Sequence, residues 1–402
     1  MPEIVPAAPA TVEVTPEKEL PAGQRANRLF FIDNIRWMII ILVVSMHAAD
    51  TYSPIGSWYF VDRKPLSTGT LLFFAAWQMY LQSFFMGLLF FIAGFFVPPS
   101  FDRKGATRFL GDRAFRLGLP VLFYMFLLGP FTEYFVAHSW NSSRPTSFAK
   151  EWIKHIRNGQ FLQENGPLWF CLALLIFSFC YTVLRGLNRR ASLGSELWAM
   201  APRTQALIVF AVIMATLTFL VRAERPPSWF NLPLRDFAQY VLLFSVGILA
   251  SRNHWLPKLS YARGMHWLML VIPIGFGLWL ALLFYGGAFR GQGSFYSGGW
   301  HWQSAGFALW ESLTSVAIGY GLLVWFREKY NQQGSLERFL SDNAFSVYVF
   351  HPPILITAAR LLHNLAWPAI LKFALLTAIA ACGSFFLSAL IFRRIPGLRR
   401  ML

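Results

Sequence analysis

The 402-residue sequence is poor in charge, because Asp, Glu, Lys and Arg together make up only 13% of it. Soluble globular domains average about 25% charged residues, so this composition excludes an ordinary soluble protein. Hydrophobic residues make up 56% of the chain and include 41 Phe and 16 Trp. We therefore predict an all-α, polytopic integral membrane protein whose surroundings are the lipid bilayer.

Cysteine and acidic residues are also scarce. The three cysteines (Cys171, Cys180 and Cys382) lie inside apolar segments and have neither zinc-site spacing nor a disulfide framework, so we predict core residues and no metal site. The 19 acidic residues against 35 basic ones leave a net charge of +16. In a membrane protein this excess indicates cytoplasmic loops rich in Lys and Arg, so we expect no nucleic-acid partner.

The N-terminal segment lacks the apolar core of a cleavable signal peptide. Residues 1–27 are rich in Pro, Ala and Glu, and we predict that they form a disordered cytoplasmic tail. The first apolar block would then serve as the insertion signal itself.

Ten apolar windows of helical length follow this tail. They are 30–49, 71–97, 117–137, 168–187, 206–221, 237–250, 267–285, 305–326, 345–362 and 370–391. Basic residues concentrate in the connections on one side, so the positive-inside rule predicts about ten helices, N-in and C-in. We expect a membrane domain over 28–395 and a short basic cytoplasmic end over 396–402.

The predicted outer loops are rich in aromatic residues. Anchoring at the membrane interface is the simpler explanation for any single Trp or Tyr there. An aromatic platform that stacks on the faces of sugars is the alternative for the group as a whole. The group comprises Trp58, Tyr59, Trp140, Trp152, Trp229, Tyr296, Trp300 and Trp302.

An arginine and a histidine share one face of the first predicted helix. Arg36 and His47 are eleven residues apart, which puts them on nearly the same side of a helix and about 16 Å apart along its axis. That distance is about half the hydrocarbon thickness of a bilayer. Arg36, with Asp33 beside it, is therefore expected at the cytoplasmic surface and His47 near mid-membrane.

Ionisable residues within membrane spans are costly, so each is a functional candidate. The candidates are His47, Glu133, Glu311 and His351, and Gln78, Gln82 and Ser83 add polar atoms in the second window. Histidine titrates near neutrality and suits a general base that deprotonates a hydroxyl. The alternative for each histidine is a buried side chain hydrogen-bonded between helices. Glu311 lies deeper in its window than Glu133 and is the better candidate for orienting a histidine, pairing with an arginine or binding a sugar hydroxyl.

A second basic pair leads into the third window. Arg113 and Arg116 are three residues apart, so they share one helix face. With Arg36 they predict a basic mouth for a polyphosphate or a CoA-like anion. The positive-inside rule alone also places arginines here, so this pair is a weak signal unless other motifs accompany it.

The order and spacing of several motifs resemble those of the integral-membrane acyltransferase family 3. The first is an arginine, ten residues and a histidine, here Arg36 and His47, and the second is Arg-x-x-Arg, here Arg113 and Arg116. Supporting matches are FFIAGFF at 90–96, GPLWF at 166–170 and YVFHP at 348–352. The sequence FIDNIR at 31–36 makes the chain most similar to the branch of periplasmic-glucan succinyltransferases.

The resemblance implies transfer of an acyl group from cytoplasmic acyl-CoA, a co-substrate rather than a bound cofactor, to an extracytoplasmic carbohydrate hydroxyl. Carried over to this chain, His47 is the catalytic histidine, and Arg36, Arg113 and Arg116 bind or position the acyl-CoA. Asp33, Glu311 and His351 are supporting candidates. The expected location is the bacterial cytoplasmic (inner) membrane.

Two other classes of function are open to a polytopic chain. A transporter or flippase of anionic or acylated glycans would use the polar groups near the midplane as a translocation site, but the sequence has no internal repeat and no paired interrupted helices. A membrane sensor or scaffold requires no buried histidines. An acyl-CoA-dependent O-acyltransferase explains the most residues.

Overall fold

The computed structural model describes residues 29–56, 58–62, 64–137, 147–187 and 200–401, and these residues contain long helices and no strand. The predicted tail and Trp140 lie outside them. The long helices are α1 (Phe30–Tyr52), α2 (Thr68–Arg113), α3 (Phe148–Arg157), α4 (Trp169–Leu187), α5 (Thr204–Ala223), α6 (Phe237–Arg252), α7 (Tyr261–Tyr285), α8 (Trp302–Lys329), α9 (Ser335–Leu361) and α10 (Ala369–Leu390). The prediction of an all-α polytopic membrane protein is confirmed.

Nine helical runs among the described residues are long and apolar enough to cross a membrane. The second, Thr68–Val136, has 69 residues, and a straight helix of that length would be about 100 Å long, some three times the hydrocarbon thickness. Gly105 interrupts it with the non-helical angles φ 73° and ψ 168°. The predicted windows 71–97 and 117–137 lie on the two sides of this break, so each of the ten windows overlaps a helical run.

Helix α1 lies within the bundle and packs against α2, α8, α9 and α10. Its aliphatic residues fill the core, and Ile35, Ile39 and Val44 are fully buried. At its N-terminal end, the Asn34 side-chain amide donates to the carbonyls of Tyr330 (2.7 Å) and Gln332 (3.0 Å) in the connection between α8 and α9. These bonds fix the depth at which α1 sits in the bundle. We call this end the inner end and the opposite one the outer end; the N-in, C-in orientation stays a prediction.

Helices α2 and α6 approach closely because glycines lie where they cross. A Cβ atom on Gly94 would overlap the carbonyl of Phe244, and one on Gly247 would overlap the carbonyl of Phe91. Small residues at such crossings let helix backbones pack tightly in membranes, where the hydrophobic effect supplies little attraction between helices. This contact holds α2 beside the helices that carry the site.

Candidate active site

His47 occupies the last turns of α1, and its ring is oriented by an acid on the same helix. The Nδ1 atom of His47 lies 3.0 Å from Oδ2 of Asp50, which is three residues further on and therefore on the same helix face. An ionised carboxylate can only accept, so Nδ1 donates and Nε2 carries the free lone pair. This arrangement prepares Nε2 to take a proton, as the histidine of a catalytic triad does.

Asp50 is itself held from a second helix. The side-chain amide of Gln78 on α2 donates to Oδ1 of Asp50 at 2.6 Å and to the carbonyl of Ile55 at 2.8 Å. The two oxygens of the buried carboxylate thus have one donor each, His47 and Gln78. The carboxylate cannot rotate without losing one of these bonds, so it fixes the orientation of the imidazole.

Two further aromatic rings lie nearly parallel to the His47 imidazole. The centroid of the Trp58 ring is 3.7 Å away with a 13° angle between planes, and that of His351 is 5.5 Å away at 12°. Trp58 reaches this position because the segment after α1 folds back over the outer end. The amide of Asp62 donates to the carbonyl of Thr51 at 2.7 Å, and buried Lys372 pairs with the Asp62 carboxylate at 2.7 Å.

His351 is fully buried and has a fixed tautomer. Its Nδ1 atom lies 2.9 Å from the carbonyl oxygen of Tyr348 and 3.2 Å from that of Val347, so Nδ1 carries the hydrogen. Its Nε2 atom is buried and has no hydrogen-bond partner among the described residues. An unpaired buried acceptor is costly in a stable core, and His351 lines neither of the two cavities described below.

His47 lines a cavity of about 890 Å³ at the outer end of the bundle, which we call the outer cavity. Its volume is within the range of small-molecule binding sites. Aromatic and polar side chains surround it, among them Trp58, Tyr59, Gln82, Trp169, Ser228 and Asn231. Such a lining suits a ligand with both apolar ring faces and hydroxyl groups.

The three predicted arginines meet in a separate cavity of about 590 Å³, the inner cavity. Arg36, Arg113 and Arg116 line it together with Asp33, and two C-terminal arginines, Arg399 and Arg400, join them. A neighbouring cavity of about 300 Å³ shares Arg113 and Arg116 and adds Arg103 and Lys104. The inner end therefore concentrates guanidinium groups, which bind phosphate oxygens in pairs.

Neighbouring side chains hold the inner guanidinium groups in place. Nη1 of Arg36 lies 3.2 Å from Oδ1 of Asp33, and its guanidinium carbon lies 4.9 Å from the centroid of the Phe96 ring. The guanidinium of Arg113 lies 5.3 Å from the centroid of the Phe109 ring. These contacts with aromatic rings involve the flat faces of the guanidinium groups, whereas anions bind at their N–H edges.

A thin wall separates the two cavities. Tyr348 lines the inner cavity, Pro167 lines the outer one, and the Tyr348 hydroxyl donates to the Pro167 carbonyl. Two residues after Pro167, Trp169 lines the outer cavity, and the following residue, Phe170, lines the inner one. The GPLWF and YVFHP motifs thus meet where the two cavities come closest.

The family model for the acyltransferase family 3 domain matches residues 29–393. The chain belongs to acyltransferase family 3. The predicted family and the prediction of an acyltransferase are confirmed, and the succinyltransferase branch stays a prediction. Comparison of this acyltransferase with curated proteins and with solved structures finds no significant match.

The structure does not bring Glu311 to His47 in this acyltransferase. Glu311 is buried in α8, and its Oε2 atom lies 2.7 Å from Nη2 of Arg222, which also lies 2.5 Å from Oδ1 of Asp236. Neither Glu311 nor Arg222 lines the outer cavity. A buried arginine between two carboxylates is an ion-pair cluster that joins α5, α8 and the start of α6.

Glu133 lies in a different cluster of the acyltransferase, at the outer end. It is hydrogen-bonded to Glu164, and burial together with the nearby Glu133 charge raises the pKa of Glu164 to about 7. His155 on α3 approaches the same carboxyl, with Nδ1 3.4 Å from Oε2 of Glu164. Burial also raises the pKa of nearby Tyr59, which lines the outer cavity, to about 12, so its hydroxyl stays protonated.

Sequence reasoning missed two of the side chains that complete the site. The first window stopped at residue 49, whereas α1 runs to Tyr52 and so includes Asp50. The spacing of three residues between His47 and Asp50 was the signal that could have identified this acid. For Trp58 the sequence offers interface anchoring or a place in an aromatic platform, and no local pattern indicates that this loop residue folds back over a helix.

Proposed function

We propose that this acyltransferase moves an acyl group of the acetyl or succinyl class from cytoplasmic acyl-CoA to a hydroxyl of an extracytoplasmic carbohydrate, in the bacterial cytoplasmic membrane. One observation carries the proposal. A single continuous helix, α1, presents Arg36 to a basic cavity at one end and His47, oriented by Asp50, to a second cavity at the other end.

The inner cavity suits the donor. Acyl-CoA carries several phosphate charges, and the inner cavity gathers five arginines that have few acidic neighbours. Guanidinium groups form paired, charge-assisted hydrogen bonds with phosphate oxygens. With the phosphates at this end, the pantetheine arm would extend along α1 toward His47, about 16 Å further along the axis, and would have to pass the Tyr348–Pro167 contact between the two cavities.

The outer cavity suits the acceptor. Trp58, Tyr59 and Trp169 offer flat aromatic faces, and Gln82, Asn231 and nearby serines offer hydrogen bonds to hydroxyl groups. This combination supports a carbohydrate, the alternative that the sequence leaves open for its aromatic loops. The finding that Trp58 stacks on His47 supports a role for it in the site over the alternative of interface anchoring.

In the proposed reaction, the acceptor hydroxyl gives its proton to Nε2 of His47 while its oxygen attacks the thioester carbonyl carbon. The carbon–sulfur bond breaks, and the departing CoA thiolate takes the proton from the imidazolium. An ester and free CoA are the products, and His47 returns to its neutral form. The Asp50 carboxylate stabilises the imidazolium that exists between these two proton transfers.

A covalent acyl-histidine would use the same Nε2 atom as its nucleophile. The two routes differ in what happens without acceptor. A single-turnover experiment with radiolabelled acyl-CoA and no carbohydrate distinguishes them, because only the covalent route leaves label on the protein.

The central test uses the purified protein in lipid nanodiscs with labelled acyl-CoA and an extract of envelope glycans. We expect glycan-dependent release of free CoA, which His47→Ala abolishes while expression and gel-filtration profile stay unchanged. His266→Ala, at an exposed histidine outside both cavities, is the matched control. Normal transfer by the His47→Ala protein would contradict the proposed mechanism.

Two further outcomes are informative. Glycan movement across a proteoliposome membrane without CoA release would support the transporter alternative instead. Mass spectrometry of envelope glycans and lipids from strains with and without the gene would name the acyl group and the acceptor through their mass difference.

A further inference from the structure

Two arginines at the rim of the outer cavity have no role in the proposed chemistry. Arg225 and Arg235 lie at the two ends of the connection between α5 and α6, and both side chains line the outer cavity with His47. The positive-inside rule predicts few basic residues at this end of the bundle. Their position in the same cavity as the candidate base therefore calls for a physical reason.

Neither arginine has its charge neutralised by the described part of the chain. Arg225 donates to the carbonyl of Gly298 at 3.4 Å, and Arg235 donates to the carbonyl of Ser297 at 3.3 Å. The ion pairs among the described residues include neither of them. Of the acidic residues next to them in the sequence, Asp236 pairs with Arg222, and exposed Glu224 forms no ion pair with Arg225 among the described residues.

The connection that carries the two arginines is held in a defined shape. Three of its residues, Arg225, Phe230 and Asn231, have positive φ angles of 46°, 50° and 53°. Non-glycine residues adopt this region infrequently, and they persist there when surrounding contacts fix them. Here Asn165 supplies such contacts, since it donates to the carbonyl of Phe230 at 2.7 Å and accepts from the Asn231 side chain at 2.9 Å.

The segment 297–299 contacts the guanidinium groups of both Arg225 and Arg235. The carbonyls of Ser297 and Gly298 accept from Arg235 and Arg225, and the amide of Gly299 donates to the carbonyl of Arg222 at 3.2 Å. A neutral backbone acceptor orients a guanidinium without cancelling its charge. The remaining N–H groups of each arginine are then free for another acceptor.

We propose that Arg225 and Arg235 form an anion subsite in the outer cavity, which binds a carboxylate or phosphate group of a reaction partner while that partner is at His47. This inference rests on the proposed function and adds a charge requirement to it. Two sources carry the same chemistry. One is a terminal carboxylate on the acyl group itself, as in a succinyl group, and the other is a phosphate or carboxylate substituent on the carbohydrate acceptor.

The test compares charged and neutral partners in one assay of CoA release, with the full-length protein in nanodiscs. The donor arm compares succinyl-CoA with butyryl-CoA, which has a four-carbon acyl group without the carboxylate. The acceptor arm compares anionic and neutral envelope glycans separated by ion exchange. The measured quantity is the ratio of kcat/KM for the charged partner to that for the neutral one.

We expect the wild-type protein to prefer the charged partner in at least one arm, and the arm that shows the preference identifies the source. The double variant Arg225→Gln/Arg235→Gln should lower that ratio about tenfold, the size of one lost charge-assisted hydrogen bond. Arg225→Lys/Arg235→Lys should keep most of the preference. Arg290→Gln, an exposed arginine that does not line the cavity, should leave the ratio unchanged.

Equal ratios in the wild-type protein and the Gln double variant would overturn the proposal, as would the same loss in Arg290→Gln. Calorimetric titration with succinate and with inorganic phosphate gives a second readout that needs no turnover. We expect the Gln double variant to bind the preferred anion about tenfold more weakly, and unchanged binding of both anions would overturn the subsite. An inactive wild-type protein that binds an anion through these arginines would contradict the proposed function and leave the subsite supported.

Discussion

Replacing Asp50 with Asn tests whether His47 acts as an oriented base. The two oxygens of Asp50 accept from different donors, Nδ1 of His47 and the amide of Gln78. An Asn side chain has only one oxygen, so its NH₂ group must face one of these donors. If it faces His47, the imidazole must move its hydrogen to Nε2, and that atom can then no longer accept a proton.

The fall in kcat caused by Asp50→Asn can be estimated from the distance between the two charges. The imidazolium that forms during transfer would lie about 4 Å, centre to centre, from the Asp50 carboxylate, and a unit-charge pair at that distance is worth about 4 kcal/mol at an effective dielectric constant of 20. The His47 side chain is 21% exposed, so solvent screens part of this attraction. A loss of about 3 kcal/mol corresponds to a fall in kcat of about 100-fold.

The assay is steady-state CoA release at saturating acyl-CoA and acceptor, since the effect concerns kcat. Gln78→Leu removes the donor to the Asp50 carboxylate, along with the bond to the Ile55 carbonyl, and should lower kcat roughly tenfold, the size of one hydrogen bond to a charged group. Glu328→Gln removes one charge at an exposed site and should be neutral. A folded Asp50→Asn protein with more than a third of the wild-type kcat would refute the reasoning.

Three other perturbations follow from the described contacts. Arg113→Gln/Arg116→Gln should raise KM for acyl-CoA about tenfold in steady-state assays and flatten its dependence on salt, because two guanidinium groups of the proposed phosphate site in the inner cavity are lost. Lys372→Met should destabilise the protein in thermal unfolding by about 3 kcal/mol, because it leaves the buried Asp62 carboxylate without its closest partner; Lys372→Met/Asp62→Asn should recover part of that stability. The Glu164 carboxyl has a pKa of about 7, above its unfolded value of 4.5, so its contribution to stability is complete below pH 4.5 and is lost as pH rises through 7. Glu164→Gln should therefore flatten the fall of the melting temperature between pH 5 and pH 8.

Each of these three predictions has a control variant and a result that would contradict it. Arg263→Gln, an arginine that donates to the Pro202 carbonyl outside the inner cavity, should leave KM unchanged; an equal rise there would indicate a general charge effect. A Lys372→Met/Asp62→Asn protein no more stable than Lys372→Met would exclude the ion pair as the cause. If the melting temperature of Glu164→Gln keeps the wild-type pH dependence, or if exposed Glu224→Gln also removes that dependence, then the titration of Glu164 is not its cause.

The positions of the apolar helices could be predicted from the sequence, because a span requires about 20 apolar residues whatever its neighbours. The residues at which the helices begin and end were less predictable. The second apolar window ends at residue 97, yet α2 continues through Pro98 and Pro99 to Arg113. Helix α3 was not predicted, since its ten residues are too few and too polar for a membrane window.

In the candidate site, too, positions within one helix could be predicted from the sequence, whereas contacts between helices could not. Arg36 and His47 lie on one helix, so helical periodicity was sufficient to place them on one face and about 16 Å apart. Whether His351 lies near His47 depends on how α9 packs beside α1, which no local pattern specifies. The partnership of Glu311 with Arg222 and the position of Trp58 likewise arise from tertiary contacts between segments far apart in the sequence.

The wall formed by Tyr348 and Pro167 has an electrical consequence. Each elementary charge that crosses a membrane down a potential of 100 mV dissipates about 2.3 kcal/mol of stored energy. In the proposed reaction, two cavities that meet at a side-chain barrier would let the uncharged thioester carbon reach the base while the phosphates stay in the inner cavity. An enzyme built in this way would couple two compartments chemically while it keeps them insulated from each other.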